Sequence, residues 1–428
     1  MKCLKHIAAL LLAGCFVLLP PDVRAAEEEP VLNQPFRFSV FGTLGLVYDD
    51  SVLHMQRDFG QPDTFHPGKY SLFADSLLGA QVDYKIADRF DATVQMVVKE
   101  RAEQSFEESL DWAHLRWRPT DDLTFRAGRL GLDLYMLSDY RNVSYAYLWQ
   151  RPVVEFYGPL MIQNFDGGDV SYRIKCGDGS LHAKLFGGVA RRSLELISGG
   201  GSNDLEISSL YGGRISYEDE QLRLSLGYGR ATIGSNLRNI SELIHPLTAA
   251  APLWPDADRF SGVIASKNRI LQFFSTGVAY ENNNWLLQSE AGYLDSNWPV
   301  LPDLLSGYVS VGYQIDEVTP YLILAAAKSR HATPAALTAP TSTGDPGVDA
   351  QLSEIYAGAL QLSQGGKVDQ KSVSLGMRWD LYQNVALKFQ WDFSKVAAHG
   401  GNLWWGPSTP VTDTTYVNLL SSSVNVAF

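Results

Sequence analysis

From Phe36 to Phe428 the chain reads as sixteen segments of ten or so residues, joined by connections that are short and long by turns, with apolar and polar side chains alternating within each segment. A strand points successive side chains to opposite faces, so such alternation separates one apolar face from one polar face. Phe90, Ala92, Val94, Met96 and Val98 share a face, opposite Asp91, Thr93, Gln95, Lys99 and Arg101. Val385, Leu387, Phe389, Trp391 and Phe393 likewise oppose Lys388, Gln390, Asp392 and Ser394. A wall between lipid and water demands this pattern, and closing the wall on itself removes every unpaired backbone edge. The expected fold class is all-β: a transmembrane antiparallel β-barrel of about sixteen strands over 36–428.

The strands are expected near 36–48, 70–86, 90–102, 109–118, 123–131, 166–176, 180–190, 206–218, 222–232, 269–281, 285–295, 305–316, 320–331, 369–382, 385–397 and 415–428. The short connections 87–89, 119–122, 177–179, 218–221, 282–284, 317–319 and 383–384 carry the Gly, Asn, Asp and Pro of tight turns. The long ones include 132–165, 233–268 and 332–368, the last two with short helices expected around 241–245 and 352–360. Membrane barrels keep short turns in the periplasm and long loops outside, which puts both termini on the periplasmic side. A soluble propeller or sandwich shares the short strands but gives no reason for every second connection to be long.

The first residues differ. Lys2 and Lys5, the apolar run Ile7–Leu19 and small residues up to Ala25 form a secretory signal over 1–25, followed by a short periplasmic segment 26–35. The apolar run is too short for a membrane helix. Leu12-Ala13-Gly14-Cys15 also fits a lipid-attachment motif, the alternative for this end of the chain. Beyond the signal only Cys176 remains, so no intrachain disulfide can form. The net charge of −12, more negative once the signal is removed, argues against nucleic acid as a partner.

With apolar positions turned to lipid, the inward side chains of the third to seventh segments include Lys99, Arg101, His114, Arg116, Arg118, Arg126, Arg173, Lys175 and Lys184. Basic groups gather on one arc and set a field across the lumen. Loop 132–165 holds Tyr135, Tyr140, Tyr145, Tyr147, Trp149, Phe156 and Tyr157, either a slide for solutes or, as favoured here, packing that pins the loop to the wall. Tyr84, Trp117, Tyr217, Trp379 and Tyr382 sit at strand ends, where interfacial girdles form.

Arg126-Ala127-Gly128-Arg129-Leu130-Gly131, leading into that loop, resembles the strand-to-loop-three signature of Gram-negative trimeric porins. The stretch from Ser138 to Val143 and the opening Phe41-Gly42-Thr43-Leu44-Gly45 resemble a proteobacterial branch of porin-like proteins, and the terminal Phe428 resembles the C-terminal signal of bacterial outer-membrane proteins. The resemblance implies a homotrimer in the bacterial outer membrane, in contact with its lipid and inserted by the barrel assembly machinery through the last strand. It also implies that loop 132–165 folds into the barrel and narrows it, with Asp133, Asp139 and Glu155 facing the wall cations. Arg141, Arg151, Tyr140, Tyr145 and Tyr147 belong to the same loop.

No Gly-x-Ser-x-Gly, His-Glu-x-x-His, Cys-x-x-Cys-His or phosphate loop occurs, and the histidines lack metal-ligand spacing. Neither enzymatic chemistry nor a cofactor or metal is expected. The reading is a porin for passive diffusion of small hydrophilic solutes and ions, with a weak lean towards anions. The alternatives are a channel selective for a sugar or organic acid, and a closed barrel serving as enzyme or adhesin.

Overall fold

The computed structural model describes residues 35–65, 69–103, 105–195, 202–330, 337–405 and 411–428. The expected signal 1–25 with Cys15, and residues 26–34, lie outside the described residues.

Sixteen long strands follow one another in a single antiparallel sheet: β1 (Phe36–Asp49), β2 (Leu77–Ala87), β3 (Phe90–Lys99), β4 (Leu110–Trp117), β5 (Leu123–Gly131), β6 (Asn164–Cys176), β7 (Gly179–Leu194), β8 (Asn203–Glu218), β9 (Leu222–Ile233), β10 (Ile270–Asn282), β11 (Trp285–Ser296), β12 (Asp303–Tyr313), β13 (Val318–Arg330), β14 (Val368–Tyr382), β15 (Val385–Gly401) and β16 (Thr415–Ala427). β1 pairs with β16, Gly42 opposite Val426 and Tyr48 opposite Leu420, so the sheet closes into a barrel. Phe428 completes the seam: its N–H donates to Val40 O at 2.8 Å, its O accepts from Val40 N–H at 2.9 Å, and its ring stands exposed outside.

Alternation decides what faces where. Phe38, Leu185, Leu226, Val309, Leu324 and Leu420 are exposed on the outer surface. Ser306, Ser310, Ser372, Ser374, Ser394, Ser421 and Ser423 are buried on the inner one. An outside this apolar is a surface for lipid, with the backbone paired strand to strand around the closed sheet. Aromatics ring both ends. Phe36 stacks on Tyr84 at 4.5 Å, Trp117 on Phe90 and Phe125 at 5.9 and 5.4 Å, and Trp285 meets Tyr313 at 4.8 Å beside the short turns. Tyr48–Tyr70 and Phe393–Tyr416 lie at the loop end.

The short turns owe their tightness to residues that accept left-handed backbone: Gly177 (φ 63°), Asn283 (φ 52°) and Asp316 (φ 51°). The long loops hold α1 (Arg238–Ala250), α2 (Pro255–Ile264) and α3 (Pro346–Gly365); α1 and α3 are longer than the sequence suggested, and α2 was not expected. Trp254, between α1 and α2, meets Tyr356 of α3 edge-on at 5.6 Å and donates to Thr338 O at 2.7 Å. An apolar cluster that includes Leu130, Phe165, Leu205, Ile233, Phe260 and Trp298 packs loop and helix residues against the loop-end part of the wall.

The expected strand 70–86 is interrupted. Tyr70–Ser71 pair with β1, but regular pairing resumes only at Leu77. Ser71 Oγ accepts from the N–H groups of Phe73 and Ala74, both at 3.1 Å, and turns the chain. A side-chain acceptor here competes with the ladder for backbone donors.

Gly128 sits at φ 131°, and a Cβ there would stand 2.3 Å from Ala113 O on β4. Gly128→Ala is therefore expected to cost about 1–3 kcal/mol, measured as a lower urea midpoint for the folded band on gels; an unchanged midpoint would show that the backbone at 128 relaxes freely.

Candidate functional site

Residues 132–163 leave β5 and return to the adjacent β6, yet their side chains bond to the far wall. The wall makes room for them with glycines. A Cβ at Gly227 would stand 2.6 Å from Leu134 O, and one at Gly277 would stand 2.8 Å from Met136 Sδ. Without side chains at those inward positions of β9 and β10, the loop backbone lies flat against the barrel.

Three charged anchors then fix it. Glu290 on β11 accepts from Met136 N–H at 2.8 Å and from the Tyr157 and Tyr308 hydroxyls, the latter at 2.7 Å. Lys388 on β15 is fully buried, and its Nζ donates to the carbonyls of Ser144, Tyr147 and Trp149 at 2.5, 2.6 and 2.6 Å while lying 4.5 Å from the Tyr147 ring centre. Arg151, from the loop itself, grips Asp75 bidentately at 2.9 and 2.7 Å, reaches Asp392 on β15 at 2.9 Å and donates to Ser421 on β16. Each charge is thus paired or caged by dipoles, the condition for burying it. Gln150 adds bonds to Gln390, Asp75 and Ser423, and Trp149 Nε1 donates to Ser310 Oγ at 2.7 Å.

The interrupted strand explains Asp75. The chain bends inward at 72–76, Gly45 N–H donates to Ser76 Oγ at 2.9 Å, and a Cβ on Gly45 would stand 2.7 Å from Asp75 Cβ. The second glycine of Phe41-Gly42-Thr43-Leu44-Gly45 is the gap through which Asp75 enters the lumen.

Of the three loop acids, only Asp133 meets the basic arc in an ion pair, bound by Lys184 and, at 2.6 Å, by Arg214. Asp139 is exposed and forms no ion pair among the described residues. Glu155 does not face the arc: it is buried on the opposite side, where Gln370 Nε2 donates to it at 2.9 Å. The expected opposition fails there because Arg116, Arg118 and Arg126 already have acids on neighbouring strands. Arg126 pairs with Asp169 at 2.5 Å, and Arg116 and Arg118 share Asp91 at 2.6 and 2.7 Å. Arg173 and Lys175 stay exposed at the turn end.

Lys99 and Arg101 are buried at the loop end rather than lining open water. Lys99 Nζ donates to Asn142 and Gln163, both at 3.3 Å, and Arg101 Nη1 to Val97 O at 2.7 Å. Arg141 donates to the Tyr135 hydroxyl at 2.7 Å. Asp58, in the loop after β1, is also drawn in. Burial by itself would push its carboxyl up, but Arg192, Lys99, Arg57 and Arg141 together hold it far below the usual carboxylate range.

Tyr135, Tyr147, Trp149, Phe156 and Tyr157 are buried and pack the loop to the wall, whereas Tyr140 and Tyr145 remain partly open. Tyr140, Tyr147 and Trp149 border a cavity of about 430 Å³ at the turn end, together with Glu218, Glu281 and Arg223. Arg378 on β14 adds to these anchors, Nη1 donating to the carbonyls of Tyr145 and Tyr147 at 2.7 and 3.2 Å. Sequence reasoning missed Asp75, Glu290 and Arg378; Lys388 and Asp392 carried the available signal, charge on the inward face of a strand.

The fold is that of bacterial outer-membrane porins. Among solved structures, the chain is similar to Salmonella typhi OmpF in complex with daunomycin, at 11% identity and a TM-score of 0.54 over 92% of this chain and 97% of that one. It is similar to the outer membrane channel DcaP of Acinetobacter baumannii at 11% identity, with a TM-score of 0.53 over the same shares, 92% and 97%. No family model and no curated protein matches the sequence.

Proposed function

We propose that this barrel is a bacterial outer-membrane channel, working as a homotrimer and inserted through its C-terminal strand, in which residues 132–165 narrow a passive path for small hydrophilic solutes and ions. The observation that carries the reading is the loop's anchorage: Arg151, Lys388 and Glu290 hold it across a barrel that sixteen strands would otherwise leave wide. A rigid constriction gives small, stepwise conductance rather than a broad open pore.

Selectivity comes from what the wall leaves uncompensated. The arc of β3 to β8 holds Arg116, Arg118, Arg126, Arg173, Lys175, Lys184 and Arg214 against Asp91, Asp133 and Asp169, an excess of positive charge that favours anions. Single-channel current in a planar bilayer under a salt gradient tests this in one experiment. Stepwise opening with a reversal potential favouring chloride is expected, and a silent bilayer would refute the channel. Replacing Arg116 and Arg126 with Ala leaves Asp169 without its partner and is expected to move the reversal potential towards cations; an unmoved potential would place both outside the ion path.

A second reading, selective uptake of one solute, draws support from the cavity bordered by Tyr140, Tyr147 and Trp149, whose rings and polar rim suit an amphipathic ligand. Saturable block of the current by that solute would distinguish it.

A further inference from the structure

We infer that a buried cavity between the loop after β1 and the inserted loop 132–163 is a binding site for one small inorganic anion of halide size. The site does not depend on conduction. The cavity has a volume of about 30 Å³, and Arg57, Lys99, Arg141 and Arg151 border it against only two carboxylates, Asp58 and Asp75. On that measure a single water needs about 10–15 Å³, so there is space for a chloride or bromide and not for a sugar.

The acceptors around the cavity are already in use. Asp75 takes both prongs of Arg151 and the Gln150 amide. Asp58 takes Arg192 at 2.8 Å, Gln163 Nε2 at 2.8 Å and the Gly60 N–H at 2.8 Å. Asn142 Oδ1 accepts from Lys99, and its amide is turned away to Asp111. Donors, by contrast, are left over. Arg57 Nε and Nη2 and Arg141 Nε are buried without a hydrogen-bond partner among the described residues.

The groups bonded to this shell bring in Arg192, Lys388 and Arg378 against Asp392, Asp111 and Glu290, so the positive excess persists one layer out. Buried guanidinium donors with no acceptor are costly, and a water offers them acceptor capacity but no charge. A halide supplies both and accepts from several N–H groups at once. Bound there, it would tie Arg57 on one loop to Arg141 on the other. The arrangement differs from the wall arc, where Arg116, Arg118 and Arg126 hold acids of the neighbouring strands directly.

The test uses the full barrel refolded in detergent. Crystals grown in sodium bromide are expected to show an anomalous peak within hydrogen-bond reach of Arg57 and Arg141, absent in Arg57→Gln. In parallel, the thermal unfolding midpoint of the unaltered barrel is expected to rise by a few degrees in chloride over gluconate at equal ionic strength. That difference should vanish in Arg57→Gln/Arg141→Gln. A cavity holding only water in bromide crystals, or equal midpoints in the two salts for the unaltered barrel, would overturn the proposal. The crystal result needs no variant to fold.

Discussion

Arg151→Met is expected to raise single-channel conductance and shift selectivity towards cations, at a cost of about 3–5 kcal/mol in barrel stability. The guanidinium is buried between Asp75 and Asp392, and removing it leaves two carboxylates facing one another across a low-dielectric gap. Their repulsion drives the middle of the loop off the wall, widening the path and lining it with negative charge. Planar-bilayer recording with urea unfolding of the same preparation checks both effects. Adding Asp75→Asn and Asp392→Asn should restore most of the stability while leaving the path wide. A folded Arg151→Met barrel with unaltered conductance would mean that this part of the loop does not set the width.

Lys388→Met should be nearly as damaging, through a different route. One ammonium satisfies three loop carbonyls, of which, among the described residues, only that of Tyr147 has a second wall donor, Arg378 on β14 at 3.2 Å. Each buried carbonyl left unsatisfied costs about 1–3 kcal/mol. The expected signature is rapid amide exchange over 144–149 together with flickering current. Lys388→Arg is not expected to rescue it, because a planar fork cannot converge three donors as an ammonium does. Exchange as slow as in the unaltered barrel would show that Glu290 and Arg151 suffice to hold the loop.

The wall was legible because lipid on one side and a polar lumen on the other impose a two-residue period, and because tight turns need residues such as Gly177 and Asn283. The anchors were not. Arg151 and Asp392 are 241 residues apart, and no local period relates them. The basic arc was visible on the inner face, but its compensation by Asp91 and Asp169 depends on cross-strand register, Arg126 standing opposite Asp169 and Arg116 opposite Asp91. Asp75 was hidden for a further reason: Ser71 turns the chain out of an apparently continuous strand, which no alternation of side chains reveals.

The partners of Arg151 lie on both sides of the β1–β16 seam: Asp75 just before β2, Asp392 on β15 and Ser421 on β16. These are the first and last parts of the barrel to be made, so the socket for the guanidinium does not exist until the chain's two ends meet. During assembly, loop 132–163 can rest on the middle strands through Glu290, but it is riveted only when the final strand zips in. Closing the cylinder and setting its bore are then one event, and a half-built cylinder has no defined gauge.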